Sequence, residues 1–377
     1  MDFAYTPEQD ELRALAREVL ADHATPQRVA EVEASEERID RALWAALANA
    51  GLLGVAVPEE EGGTGLGMVE LCILLEEVGR AVAPVPAYAT LLLGALPVAA
   101  FGTPAQRARL LPGVVSGMTL LSAALEEPRN LDPLAPATRV VERRLHGVKL
   151  AVPVADAAAA VVVSADAGLF LVDPHDPGVT LERQEVTNHE PRFLMTLDGA
   201  PAELLGGPDA VAWLVRRARL GLCAMQVGVT DRALRMTAEY TSAREQFGRP
   251  LSAFQAVSQR AADAYVDVEG IRLTTQAALW RLAAGEEAAA DDAVAVAKLW
   301  AAEAGQRVVH AAQHLHGGVG VDVSYPLHRS FLWAKELELS LGGAQQQLLV
   351  LGDMIAEDDW PPHPSPPPRG GREVAAS

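Results

Sequence analysis

Apolar positions recur along the chain with two different periods, and the switch between them divides it. Near the start, Thr6 is a helix cap, Pro7 suits the first helical position and Gln9 can complete a capping box. Leu12, Leu15, Ala16 and Val19 then follow the i, i+3, i+4, i+7 spacing of a one-faced helix. Helical text continues through residues 42–50 and 69–80, interrupted by the turn-rich stretch 58–65. Residues 1–118 are therefore expected to form an N-terminal helical domain.

The texture then changes. Residues 138–153 read as a hairpin bent near 145–147. Short β-rich runs follow at 160–164, 169–172, 179–183 and 193–197, separated by Asp, Pro and Gly turns. Strands without intervening helices predict a middle antiparallel β domain over 119–206. From Pro208 the chain returns to long Ala-rich helical stretches at about 209–245, 253–284 and 291–315, with a last one near 328–356. Their length and short joints predict a C-terminal four-helix bundle over 207–356. The Pro/Gly-rich end, 357–377, is expected to be disordered. The fold class is α+β, in the uncommon order helix, β, helix.

Composition narrows the function. The 377 residues carry a formal charge of −19, which repels phosphate backbones and anionic headgroups and argues against nucleic-acid or membrane-surface binding. Cys72 and Cys223 are too few for a disulfide framework or a four-cysteine zinc site. The first residues lack the basic and apolar regions of a signal peptide, and no apolar run reaches the ~18 residues of a membrane span. A cytoplasmic protein with a core of Ala, Leu and Val is expected.

Chemistry concentrates in residues 243–257. Helical sequence ends near Arg244, a Gly-Pro turn follows, and a new helix starts near Ser252. Arg244 and Arg249 set cationic forks beside the free N–H groups of a helix start, a pairing suited to an anion, and Phe247 and Phe254 can cover a flat ligand. The residues alone also allow a plain helix–turn–helix joint with two solvated arginines. Elsewhere, His310 and His314 share a helical face and His316 does not, and no acidic cluster turns them into a metal site. Arg216, Arg217 and Arg219 are candidates for the phosphates of coenzyme A, and the charged run 31–38 reads as a solvated helix face.

At this point the residues carry a likeness. Arg244-Glu-Gln-Phe-Gly-Arg-Pro followed by Phe254-Gln255 resembles the signature of the acyl-CoA dehydrogenase family of flavoproteins. Residues 44–66 resemble that family's N-terminal helical domain, and Leu315-His-Gly-Gly-Val-Gly followed by Tyr325-Pro resembles its C-terminal glycine motif. The likeness covers nearly the whole chain, and the helix–β–helix order matches the family's three domains. It implies FAD as cofactor, held by Arg244, Phe247 and Gln255 reaching across a dimer interface to the pyrophosphate and adenosine end of a partner's flavin. It also implies that Gly317 and Gly318 let a second backbone segment approach that cofactor. His314 takes the place of the usual glutamine.

The likeness fails in one region. The reaction needs a base for an α-proton, and in the family's commonest pattern a glutamate stands fifteen residues after the proline of the Tyr-Pro pair; here that residue is Leu341. A second family location, on the helix before the Arg-x-Gln-Phe-Gly signature, is Trp213 here. Glu126 stands where a threonine hydroxyl would face the flavin, and the strand expected to bear hydroxyls is the apolar stretch 151–155. Glu336 and Glu338 lie near the missing base, with Glu338 the candidate for a relocated one.

The residues that reach a neighbour's flavin are thus mostly kept, and those that build the chain's own pocket are mostly lost. This pattern resembles the degenerate subunit of the α2β2 acyl-CoA dehydrogenases of actinobacterial steroid degradation. The implied function is α,β-desaturation of an acyl-CoA with a bulky group, the base coming from a paralogous subunit and the electrons passing to an electron-transferring flavoprotein. Two other expectations stay open: a self-sufficient homotetramer with a relocated base, and a flavin-free scaffold for a catalytic paralogue.

Overall fold

The computed structural model describes residues 3–357. The expected architecture is the one observed: helices, then β-sheets, then long helices. Helix α1 (Pro7–His23) opens with the reciprocal Thr6–Gln9 capping box, and α2 (Pro26–Glu33) is capped by Thr25. Asp40 accepts from the Ala42 and Leu43 N–H groups to start α3 (Arg41–Asn49), and Arg28 grips the same carboxylate. The charged run 31–38 spans the end of α2 and a turn. Val32 is buried within it, and Glu33 accepts from Arg329 at 2.8–2.9 Å, so only part of that run is a solvated face.

Helix α4 (Met68–Ala81) is buried along most of its length. A π-helical turn, Tyr88–Ala95, leads into α5 (Leu96–Phe101), and α6 (Pro104–Val115) follows with its own Thr103–Gln106 capping box. The Thr90 hydroxyl donates to the Leu121 carbonyl at 3.0 Å and ties the π-turn to the first strand.

The strands are β1 (Leu121–Ala124), β2 (Arg139–Val141), β3 (Arg144–Pro153), β4 (Ala160–Ala165), β5 (Gly168–Val172), β6 (Val179–Gln184), β7 (Arg192–Pro201) and β8 (Glu203–Gly206). They form two four-stranded sheets, ordered β1-β4-β5-β8 and β2-β3-β7-β6. Period-2 alternation explains how an all-apolar strand serves two neighbours: Val161 and Val163 enter a core shared by both sheets, while Ala160 and Val162 face the helices.

Two local expectations are corrected. The β domain is not wholly antiparallel, because β1 pairs parallel with β4 through Leu121–Ala160 to Ala124–Val163. The hairpin bends at Glu142-Arg143, both at positive φ, a two-residue turn of the twist that hairpins favour, and not near 145–147. Gly147 instead lies inside β3, where a Cβ would stand 2.4 Å from the Thr138 hydroxyl.

Between the two sheets lies a buried ion pair, on Lys149 of β3 with Ser164 of β4 beside it. The Lys149 ammonium, fully buried, donates to Glu127 at 2.7 Å and to the Ser164 hydroxyl at 3.0 Å. Glu127 also accepts from the Thr138 N–H and hydroxyl and from the Ala137 N–H.

The C-terminal helices are α7 (Pro208–Ala243), α8 (Gln255–Ala283), α9 (Glu287–His316), α10 (Leu327–Leu339) and α11 (Ala344–Glu357). The single helix expected near 328–356 is therefore two, broken at residues 340–343, where Leu341 takes φ 54° and Gly342 φ 99°. The expected four-helix bundle gains a fifth helix by that break. The expected disorder of the tail concerns residues that, apart from Glu357, lie outside the described ones.

The helical parts meet through α4 and α7, whose backbones touch at glycines. A Cβ on Gly228 would lie 1.9 Å from the Glu76 carbonyl oxygen, and one on Gly79 would lie 2.3 Å from that of Met225. Because both obstacles are backbone, Gly228→Ala is expected to force the helices apart and cost about 1–3 kcal/mol, read as a lower urea midpoint; an unchanged midpoint would contradict this packing.

Candidate functional site

The end of α7 builds the first half of the site. The helix stops at Ala243, with the Arg244 N–H donating to the Tyr240 carbonyl at 2.8 Å. A two-residue hairpin follows, β9 (Glu245–Gln246) and β10 (Arg249–Pro250), its turn formed by Phe247 at φ 56° and Gly248 at φ 78°. This turn thrusts Phe247 outward until it is 92% exposed. Its ring meets Phe254 edge-on at 6.2 Å, and the Arg249 guanidinium lies 4.0 Å over Phe254. Gln255 opens α8, whose N-terminus has no side-chain cap. Arg244 and Gln255 are exposed, and their side-chain polar groups have no partner among the described residues.

The end of α9 builds the second half. His314 is exposed in its last turn, and Gly317 and Gly318 follow, also exposed. Gly317 takes φ 63° and ψ −139°, a region essentially closed to side chains, and a Cβ on either glycine would meet nothing within 4 Å. Tyr240 stacks on His316 with ring centroids 4.4 Å apart, which sets the ends of α7 and α9 side by side. The structure thus brings Arg244, Phe247, Gln255, His314, Gly317 and Gly318 to one end of the bundle, all pointing to solvent. From there an open groove of about 740 Å³ runs between α8 and α9 past Gln259, Arg260 and His310.

The region around Leu341, where the likeness leads one to expect the chain's own base, is different. Leu341 is buried to 6% exposure, and its N–H is bonded by the Glu126 carboxylate. The Arg219 guanidinium donates to the Leu341 carbonyl at 3.1 Å, and the Lys298 ammonium donates to the carbonyls of Leu337 and Glu338 at 2.9 Å each. Complete burial lowers Lys298 to about 8. These contacts use cations to satisfy the free carbonyls at the end of α10, and they fix the 340–343 break. What remains beside it is a cavity of about 30 Å³ among Tyr88, Leu93, Leu125, Glu126, Arg192 and Leu341, and an adjoining one of about 230 Å³. Within the single chain both fall below the roughly 300–1,000 Å³ of a ligand pocket.

Other sequence candidates fall into structural roles. Trp213 meets Phe101 edge-on at 4.9 Å and carries the Arg217 guanidinium 3.9 Å over its ring. Glu338 is paired to Lys335 at 2.6 Å. Burial raises the carboxyl of Glu336, which lies 3.7 Å from the buried Arg192. The coenzyme A reading of three arginines does not hold for the chain itself: Arg216 is gripped by Asp291 and Glu287, Arg217 by Glu287, and Arg219 is buried on Leu341. His310 packs edge-on against Phe331. Sequence reasoning missed Arg192, Lys298 and the reach of Glu126. A signal existed for Lys298, a lone ammonium within the Ala/Val-rich run 293–304.

Known proteins match both helical parts. Residues 6–118 match the family model described as the N-terminal domain of acyl-CoA dehydrogenase, and residues 206–356 match that of the C-terminal domain. The chain is 40% identical over 370 residues to the acyl-CoA dehydrogenase FadE27 of Mycobacterium tuberculosis, covering 95% of this chain and 99% of that protein. Among solved structures, the Tcur3481-Tcur3483 steroid ACAD aligns at 50% identity with a TM-score of 0.87, covering 93% of this chain and 98% of that one. The ChsE4-ChsE5 complex from Mycobacterium tuberculosis aligns at 39% identity with a TM-score of 0.89, covering 95% and 99%.

Proposed function

Because the chain belongs to the acyl-CoA dehydrogenase family of FAD-dependent oxidoreductases, we propose that it serves as one subunit of a heteromeric enzyme and completes the flavin site of a paralogous chain. The observation that carries this reading is the asymmetry between its two half-sites. The one at the end of the bundle is solvent-facing and unpartnered; the one at Leu341 is shut by Glu126, Arg219 and Lys298. One of the similar structures is a complex by name and another carries a paired name, in support of a paralogous partner in an α2β2 assembly.

In this reading Arg244 offers a guanidinium fork to a diphosphate beside the uncapped N–H groups of α8. Phe247 and Phe254 cover the adenine, Gln255 and His314 supply polar contacts, and Gly317-Gly318 admit the ligand to the backbone. Held there, FAD would supply the hydride acceptor for oxidation of the acyl-CoA at Cβ. The partner supplies the glutamate that removes the α-proton, since Leu341 and Trp213 hold no proton acceptor at the family's usual positions. The name of the 50% identical relative supports a bulky, steroid-like acyl group. An electron-transferring flavoprotein as acceptor, and division of the chain into domains 1–118, 119–206 and 207–356, belong to the same proposal.

The test is the ratio of FAD to polypeptide. The chain purified alone is expected to be colourless, and the complex to hold one FAD per pair of chains. One FAD per chain in the isolated protein would overturn the reading and favour a self-sufficient enzyme. The observation favouring that alternative is Glu336, half-buried beside the 340–343 break and 3.7 Å from Arg192, its carboxyl raised by burial.

A further inference from the structure

The two exposed half-cradles lie on separate helix ends, and the 317–318 turn opens a short 3-10 helix, Gly317–Val321, whose first N–H donates to the His314 carbonyl. Neither glycine would touch anything within 4 Å even with a Cβ added. Immediately before them, His316 is only 3% exposed. Its Nδ1 lies 2.8 Å from the Ala312 carbonyl oxygen, which can only accept, so Nδ1 carries the proton. Nε2 is then the lone pair, and the Tyr325 hydroxyl donates to it at 3.3 Å. Burial lowers the pKa of His316 and favours this neutral form. The ring face stacks on Tyr240 at 4.4 Å and 20°. Tyr240 is in turn the residue whose carbonyl receives the Arg244 N–H at 2.8 Å.

We propose that His316 is a positioning residue: its ring, fixed by Ala312, Tyr325 and Tyr240, sets the spacing between the Arg244 hairpin and the Gly317-Gly318 turn so that both meet one diphosphate–adenosine ligand. This rests on the trans-site reading above. A stacked ring transmits position because its plane fixes the distance between two helix ends, while its two nitrogens fix its rotation. Replacing histidine by phenylalanine keeps the plane and frees the rotation.

The test uses the assembled complex with its paralogous subunit, deflavinated and titrated with FAD by the change in flavin absorbance. His316→Phe and Tyr325→Phe are each expected to weaken FAD binding about tenfold, and His316→Gln, which keeps a donor and an acceptor but loses the stacked plane, to weaken it at least as much. Combined with Arg244→Ala, His316→Phe is expected to weaken binding by less than the product of the two single effects, because a displaced hairpin gains less from its arginine. An effect of His316→Phe within twofold, beside a large Arg244→Ala effect, would overturn the positioning role and leave the trans-site reading intact. A fully multiplicative double variant would overturn it too, showing that His316 acts locally. If neither Arg244→Ala nor His316→Phe altered FAD binding, the trans-site reading itself would fall. Should His316→Phe fail to fold, the same cycle run with Tyr325→Phe decides.

Discussion

Replacing Lys149 by alanine is expected to destabilise the chain by about 3–5 kcal/mol, because it leaves the Glu127 carboxylate buried without its counter-charge. Glu127 keeps three donors from Ala137 and Thr138, and these set the loss toward the lower end. The double change Lys149→Met with Glu127→Gln is expected to recover most of the stability, since no uncompensated charge then remains. Urea unfolding of the full chain measures both. A single-variant loss below about 1 kcal/mol would show that water reaches the carboxylate. The same pair shapes the acid limb. Burial alone would raise the Glu127 carboxyl, but the Lys149 ammonium and the Thr138 and Ala137 donors outweigh it and hold the group down to about 2. A depressed carboxyl contributes stability that is complete above its unfolded value near 4.5 and lost as the pH falls through about 2. The stability of the wild-type chain is therefore expected to decline between those values, and Glu127→Gln to flatten that part of the profile.

Arg244→Ala is expected to lower the affinity of the assembled complex for FAD by about 10- to 150-fold, the equivalent of a charge-assisted phosphate contact of roughly 1.5–3 kcal/mol. The folded chain loses nothing by the change, because that guanidinium is exposed and has no partner among the described residues. Stability and cofactor affinity therefore separate cleanly in this variant. Arg244→Lys restores the charge but not the planar fork, so partial recovery is expected. Full flavin occupancy at the wild-type affinity would remove the arginine from the site and favour a scaffold role for the chain.

The sequence made the long helices legible because their caps and spacing are local: Thr6 and Gln9 announce α1 without reference to anything distant. It also showed that Leu341 and Trp213 carry no carboxylate, since that is written in the residue itself. What it hid was set by tertiary partners. The parallel pairing of β1 to β4 joins residues about forty apart, beyond any local pattern. Gly147 read as a bend because glycine usually marks one, yet here it makes room for Thr138 across the hairpin. Glu126 was visible as a misplaced carboxylate, but its bond to the Leu341 N–H spans the β and helical parts and leaves no trace in spacing. The break between α10 and α11 has the same origin. Gly342-Gly343 permits it, and Arg219 and Lys298, from two other helices, complete it.

That closed half-site resists reopening by any single substitution. Changing Leu341 to glutamate would put a carboxylate where Glu126 already bonds the adjoining N–H, beside a cavity of about 30 Å³. Recovery would need several coordinated changes, each unfavourable until the others were present. On the trans-site proposal, a chain in this state depends on a second chain for the chemistry it cannot itself perform.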